Sequence, residues 1–423
     1  MRIAASVVFP LAAFAFACTG EPPDLGEPTE PSPPAAPDAG PSLPEVTLPG
    51  TTQPSGAPGL CTSWSSTVLD LSALSIAQPR SFIHGVEGGF SVVATDARTT
   101  RVAALAFDAT GTSRAPEVDL PLEDTAVSDV VATSEGGWLA VWSDGESAYG
   151  ACSGDLSFVH YDVGGTPTGQ TASQSGAFGA LGAEPGGTTD VAWCSSSGSA
   201  WSSQMGTVAT FPLSLTPGPS FASASQEWWL GWHLGTLLSM DCPDASCNYY
   251  GDGVVGALHT WNTTGQSVLD VVLPADLATA MSSGAARASP GEDATTAIVA
   301  QASGVSFVSA SQVAVVPSDV LLNGASPWSA PAVGGAQRAV VGFDGHIAGE
   351  GDAGGSDALE IVEVTSSGVR SVVGQVSLPP DPQRDLSMAT VSLTATLAED
   401  AYMVVLVGQT IEGAVFTCTG RSS

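Results

Sequence analysis

The chain has 423 residues, only 12% of them charged, and a formal net charge of −32. All ten basic residues are Arg, so mechanisms that need a Schiff-base lysine, a phosphate-loop lysine or a Ser–Lys dyad are excluded. Acidity this strong repels nucleic acid and anionic membrane surfaces, and no basic patch interrupts it.

In chain order, the first element is an export signal over residues 1–17. Arg2 gives a positive start, Ile3 to Phe16 is an uncharged apolar run, and the small residues Ala15 and Ala17 lead into Cys18. The run is shorter than the roughly 18–20 residues a spanning helix needs, and Pro10 interrupts it. Its ending resembles the lipobox of bacterial lipoproteins, with Ala15 where that family usually carries Leu. The resemblance implies acylation of Cys18, which becomes the new N-terminus and a lipid anchor. Thr19 follows the cysteine. By resemblance to the sorting rule of enteric bacteria, the absence of Asp there implies the outer membrane or cell surface.

Residues 18–58 are the next unit. After Cys18 the segment is dominated by Pro, Glu, Asp, Ser, Thr and Gly, with neither Arg nor Lys. Leu25, Leu43, Val46 and Leu48 are too sparse to build a core. Such a segment is expected to be disordered and, through its prolines, extended, a tether with a reach on the order of 100 Å.

Residues 59–423 carry a repeated pattern. A turn signal followed by a β-rich run recurs as GGFSVVATD from Gly88, GGWLAVWSD from Gly136, GGTTDVAWC from Gly186 and QEWWLGWHL from Gln226. It continues as EDATTAIVA from Glu292, GGAQRAVVG from Gly334 and AEDAYMVVL from Ala398. A second run ending in a turn follows most of these: VAALAFDATG, LSFVHYDVGG, VVGALHTWNTTG and LEIVEVTSSG. A third run completes several units (EVDLPL, VLDVVLP, VVGQVSLP). The period of about 50 residues, with almost no helical periodicity, predicts an all-β chain folded as a seven-bladed β-propeller. A pair of two-sheet sandwiches is the alternative fold.

The last unit lacks an outer strand, and SSTVLDLS from Ser65 matches the missing one. The N-terminal strand is therefore expected to complete the last blade, leaving no free radial edge. Export favours disulfides. With Cys18 set aside, closure pairs Cys61 with Cys418, proximity pairs Cys242 with Cys247, and Cys152 is left with Cys194.

Taken together, the export signal, the tether and the GGWLAVWSDG-type runs resemble predicted bacterial surface lipoproteins that carry a propeller behind a proline-rich spacer. Functions in such families are mostly unassigned, so the resemblance carries no site residue over.

Chemical signatures are thin. GEGDAG at Gly349 and GDGVVG at Gly251 match a dinucleotide fingerprint in letters, but strand-like runs follow them, so the helix N-terminus that would cradle a pyrophosphate is missing. No G-x-S-x-G elbow occurs. The histidines (His84, His160, His233, His259, His346) are scattered over separate units. The loop from Asp241 to Gly253 is acidic without the order of a calcium loop. Nearby aromatics, Trp228, Trp229, Trp232, Tyr249 and Tyr250, could stack on a sugar, although most tryptophans, Trp138 and Trp142 included, are expected in the core. The pairs Glu292–Asp293 and Glu399–Asp400 fall at turns, where solvated charge is the ordinary role.

No catalytic residue, cofactor or metal site is therefore expected. The favoured reading is an exported, membrane-anchored, monomeric lipoprotein whose non-catalytic propeller binds a glycan or protein ligand, or serves as a scaffold. The alternative is a secreted polysaccharide hydrolase or lyase using Asp or Glu on the axial face.

Overall fold

The computed structural model describes residues 59–423 except 75–79, 97–100, 123–126, 144–153, 198–199, 211, 222–225, 243–255, 284, 292–293, 302, 318–328, 333–337, 348–355, 379–389, 399–400, 409 and 423. The signal, Cys18 and the tether lie outside the described residues. So do Cys152, Cys247, both glycine-rich motifs apart from Gly256, Tyr249, Tyr250 and both acidic pairs.

The first strand, β1 (Cys61–Val68), belongs to the last sheet. Blade 1 comprises β2 (Arg80–Val86), β3 (Gly89–Asp96), β4 (Arg101–Asp108) and β5 (Val118–Leu120). Blade 2 comprises β6 (Val127–Ala132), β7 (Trp138–Ser143), β8 (Asp155–Tyr161) and β9 (Pro167–Ser175). Blade 3 comprises β10 (Ala177–Ala183), β11 (Thr189–Ser197), β12 (Ala200–Thr210) and β13 (Leu213–Phe221). Blade 4 comprises β14 (Gln226–His233), β15 (Thr236–Cys242), β16 (Ala257–Asn262) and β17 (Ser267–Val272). A helix, α1 (Ala275–Ser282), leads into blade 5, which comprises β18 (Ala286–Pro290), β19 (Thr296–Gln301), β20 (Gly304–Ser309) and β21 (Gln312–Pro317). Blade 6 comprises β22 (Ser329–Ala332), β23 (Arg338–Ile347), β24 (Ser356–Thr365) and β25 (Gly374–Ser377). Blade 7 comprises β26 (Thr390–Ala395), β27 (Ala401–Val407), β28 (Ile411–Arg421) and β1.

Each sheet is four-stranded and antiparallel, a meander of consecutive strands except in blade 7, whose outer strand is β1, and the first strands touch in the cyclic order β2, β6, β10, β14, β18, β22, β26 and back to β2. The protein is a closed seven-bladed β-propeller. Its apolar clusters lie between blades rather than in one central core, because each sheet buries its faces against its neighbours. Middle strands are accordingly apolar almost throughout: β19 (TAIVAQ) and β27 (AYMVVLV) are buried along nearly their whole length. Outer strands such as β17 and β21 bury only isolated positions.

The repeated turns have a common mechanism. Asp108 Oδ1 accepts the N–H groups of Thr110 (2.8 Å) and Thr112 (3.0 Å), and Asp162 Oδ1 those of Gly164 (2.9 Å) and Thr166 (2.8 Å). Asn262 Oδ1 repeats the pattern with Thr264 and Gln266. A polar side chain thus caps the hairpin between third and fourth strands in three blades. Burial pushes Asp108 up, but its bonds to Thr110 and Thr112 outweigh this and hold its carboxyl below the ordinary value.

The seam follows the expected scheme. β1 pairs antiparallel with β28, from Cys61 opposite Arg421 to Val68 opposite Ala414. A disulfide joins Cys61 to Cys418, with Cα atoms 5.8 Å apart. Cys194 is also disulfide-bonded. The closing strand starts before Ser65 and ends at Val68; Leu69, Leu71 and Leu74 instead enter the cluster between blades 7 and 1. Glu363 of β24 is fully buried and braces the closure from blade 6. Its Oε2 accepts the Cys61 N–H (2.6 Å), and its Oε1 accepts Arg421 Nη1 (3.1 Å). Trp64 donates its indole N–H to the Val372 carbonyl (2.9 Å) and meets Tyr402 edge-on.

Two local expectations are corrected. QEWWLGWHL is expected to be equivalent to the runs from Gly88, Gly136 and Gly186, which form β3, β7 and β11, the second strands of their blades, but it forms β14, the innermost strand of blade 4. The reason is the two-residue turn at Leu234 (φ 42°) and Gly235 (φ 69°), whose positive φ angles suit a tight hairpin directly after His233. The near absence of helical periodicity missed α1, where Pro274 precedes the helix, Asp276 sits in its first turn, and Leu277, Ala278 and Met281 are buried. Among the described residues no helix is long and apolar enough to cross a membrane.

Candidate functional site

The inner strands surround an axial cavity of about 530 Å³. Its described lining comes from β2, β6, β10, β14, β18 and β26, with Met281 of α1 and Leu397 beyond β26. Small residues make the ring possible. Gly85 of β2 lies so close to β26 that a Cβ there would collide with the Ala395 carbonyl, while its N–H donates to Thr394 Oγ1 (3.0 Å).

A polar clip joins three inner strands on one side. Asp129 of β6 is buried among valines. Its Oδ1 meets His84 Nε2 at 2.7 Å and accepts the Val130 N–H at 2.8 Å; its Oδ2 accepts the Leu181 N–H at 2.8 Å. Asp129 is the only carboxylate among the described lining residues, and it already has three partners.

The rest of the wall differs in character. Trp232 of β14 packs against Gly182 and the small apolar cluster of Ala192, Met205 and Leu237, and its indole Nε1 has no acceptor among the described residues. The buried Ser289 Oγ of β18 is also unpartnered among them. Arg287, two residues earlier on β18, reaches water through the cavity, yet burial by the surrounding protein lowers its pKa from the usual value. Counted back from the last pair of the first hairpin, Arg287 and Asp129 occupy the same position in blades 5 and 2, on separate parts of the ring.

The ring does not gather the four histidines with described side chains into one site. His84 and His233 line the cavity, His160 is buried in β8, and His259 packs on Trp261 with Asp270 Oδ1 3.7 Å away. Burial pushes the His160 pKa down, against the opposing charges of Glu135 and Asp162. No group of three or more His, Cys, Asp or Glu suited to a metal occurs among the described residues. Trp138 and Trp142 join the core as expected. Arg287 and Asp129 were missed; the usable signals were a carboxylate amid valines in VSDVVA and a lone Arg in the short strand ARASP.

A second acidic feature lies outside the cavity lining, between blades 3 and 4. The Glu184 and Asp190 carboxyls converge beside Gly235, and Thr207 Oγ1 donates to Asp190 Oδ1 (3.3 Å). Burial, reinforced by the Asp190 charge, pushes Glu184 up to about 7, against a bond from the Gly235 N–H. Burial pushes Asp190 up to about 6, against its bonds to Thr207 and Glu184. Asp190 Oδ2 has no donor among the described residues unless a proton sits between the two carboxyls. Direct contact of this kind leaves no room for a substrate between the pair, unlike the separations used in glycoside hydrolysis.

No family model and no curated relative matches the chain. Solved structures with similar folds include the WD40 domain of SCAP from fission yeast, with 8% identity, TM-score 0.43, and coverage of 85% of this chain and 99% of that one. The β-propeller domain of the trilobed protease from Pyrococcus furiosus has 6% identity and TM-score 0.42, covering 82% and 96%. The polysaccharide lyase Uly1 has 7% identity and TM-score 0.39, covering 80% and 89%. Likeness at this level concerns the fold alone. The seven-bladed architecture itself rests on the strand pairings and the ring of inner strands.

Proposed function

We propose that this chain is an exported lipoprotein, acylated at Cys18 and held away from an outer membrane or cell surface by residues 18–58. Its propeller binds a ligand in the axial cavity without turning it over. One observation carries the binding part of this reading: the described lining contains a single carboxylate, Asp129, already committed to His84 and two backbone N–H groups. A hydrolase working through paired carboxylates needs a second acid about 5–10 Å from the first. The cavity volume falls in the range of small-molecule sites, and aromatic, hydroxyl and guanidinium groups line it. The signal sequence, the cysteine after the apolar run and the polar spacer support the anchor.

The test uses the full chain, expressed in a bacterium and purified in detergent. Palmitate labelling and membrane fractionation of wild type and Cys18→Ser test the anchor, and the variant should lose both label and membrane association. A glycan array combined with hydrolase and lyase assays tests the propeller. Binding without turnover supports this reading; turnover lost on changing Asp129 would replace it with an enzymatic one.

A further inference from the structure

The axial cavity has a chemical bias that the binding reading alone does not require. Its polar atoms without partners are mostly donors. Among the described residues neither the Arg287 guanidinium nor Trp232 Nε1–H has an acceptor, and Ser289 Oγ, able to donate, is also unpartnered. Other described arginines are satisfied: Arg101 by Glu117 and Asp119, Arg421 by Glu363, and Arg114 by the Glu87 carbonyl. In a chain of net charge −32 carboxylates are abundant, yet the described lining of the cavity that Arg287 shares carries only one, Asp129. Arg287 is exposed, and it lines the cavity, so an anion entering there can pair with the guanidinium without first breaking an ion pair to a described residue. Asp129 does not supply the negative charge, because its oxygens are held by His84 and the N–H groups of Val130 and Leu181.

We propose that the axial cavity holds a small molecule bearing a carboxylate, which Arg287 clamps by paired hydrogen bonds while Phe82 and Trp232 line the wall against its body. This inference rests on the binding reading above and names its ligand class. A guanidinium fork matches a carboxylate in geometry as well as charge. The aromatic wall favours an apolar or ring-shaped body over a bare inorganic anion. A sugar acid and an acylated amino acid both meet these requirements, and the experiment separates them.

Equilibrium binding is measured on the full chain in detergent with three acids: D-glucuronate, N-acetylleucine and benzoate. Each is paired with its uncharged counterpart, D-glucose, N-acetylleucinamide or benzamide. At least one acid should bind with a Kd below about 1 mM, and its neutral partner at least about 10-fold more weakly. The identity of the acid that binds distinguishes the sources. Arg287→Gln should weaken the acid by about 10–100-fold while thermal stability stays nearly equal, since an exposed side chain with no described partner has been changed. Trp232→Phe, which deletes the free indole N–H, should give a smaller loss. For the wild-type protein, affinity for the acid should fall as salt is raised.

Equal binding of acids and neutral counterparts overturns the proposal while leaving a binding propeller intact. So does acid binding that ignores Arg287→Gln, or the failure of all three acids at millimolar concentration. Turnover of an array glycan would instead count against the binding reading beneath it.

Discussion

The closing seam in blade 7 and the joint between blades 3 and 4 belong to the same ring but are held by different means. At the seam, a disulfide, a buried carboxylate with both oxygens occupied, and large apolar clusters on either side reinforce one another. At the joint, the described apolar cluster is Ala192, Met205 and Leu237, helped by Trp232, Trp261 and a carboxyl pair that needs a proton. A propeller must hold together where its chain ends meet, because without such ties strand pairing alone would oppose peeling there. Elsewhere the chain is continuous, and a joint can be softer without opening the ring.

The largest contrast should come from the disulfide. Replacing both Cys61 and Cys418 by Ser should cost about 6 kcal/mol by loop entropy, less if the reduced chain retains structure. Denaturant unfolding measures it, and a loss under about 1 kcal/mol would mean that the paired strands alone hold the seam. Glu363→Ala should cost about 3 kcal/mol, because the Cys61 N–H and the Arg421 guanidinium lose their acceptor together. Glu363→Gln should recover part of this by accepting the N–H again.

The joint should respond to pH instead. Glu184 and Asp190 titrate at about 7 and about 6 in the folded protein. Both values lie above the unfolded range near 4. The folded state therefore binds more protons across this interval, so the contribution to stability is full below about pH 4. It is lost as pH rises through about 6 to about 7. Unfolding measured from pH 4 to 8 should show this fall, and Asp190→Asn should flatten it. A profile that Asp190→Asn leaves unchanged would remove the joint's distinction from the seam. The smallest effect is expected at Gly235→Ala, about 1 kcal/mol, since a side chain would have to adopt positive φ in the turn.

How much of this was legible depends on whether the signal was local. Middle strands are buried on both faces, so GGFSVVATD and AEDAYMVVL announce themselves as apolar runs behind turns. The capped hairpins at Asp108, Asp162 and Asn262 recur in sequence because their hydrogen bonds close within a few residues. Closure was legible because β1 arrives as a spare strand with a cysteine near each end of the chain. Blade 4 was misread because the tryptophan run in β14 imitates a middle strand, although it lies at the axis. The axial cavity was illegible for a deeper reason. Each inner strand contributes only a few residues, and partners such as His84 and Asp129 are separated by a whole blade. No local window contains the site.

The disulfide also determines how a mechanical pull is distributed. Tension arriving through the residues that precede Gly59 reaches β1, a rim strand that hydrogen bonds alone would let unzip from β28 one pair at a time. Cys61 is the first residue of that strand, so once the bonds at Gly59 and Leu60 give way the force crosses a covalent bridge to Cys418 before the pairs from Ser63 to Val68 are broken. Blade 7 then bears the strain along β28, in shear, and the toroid can be tugged from outside without unravelling.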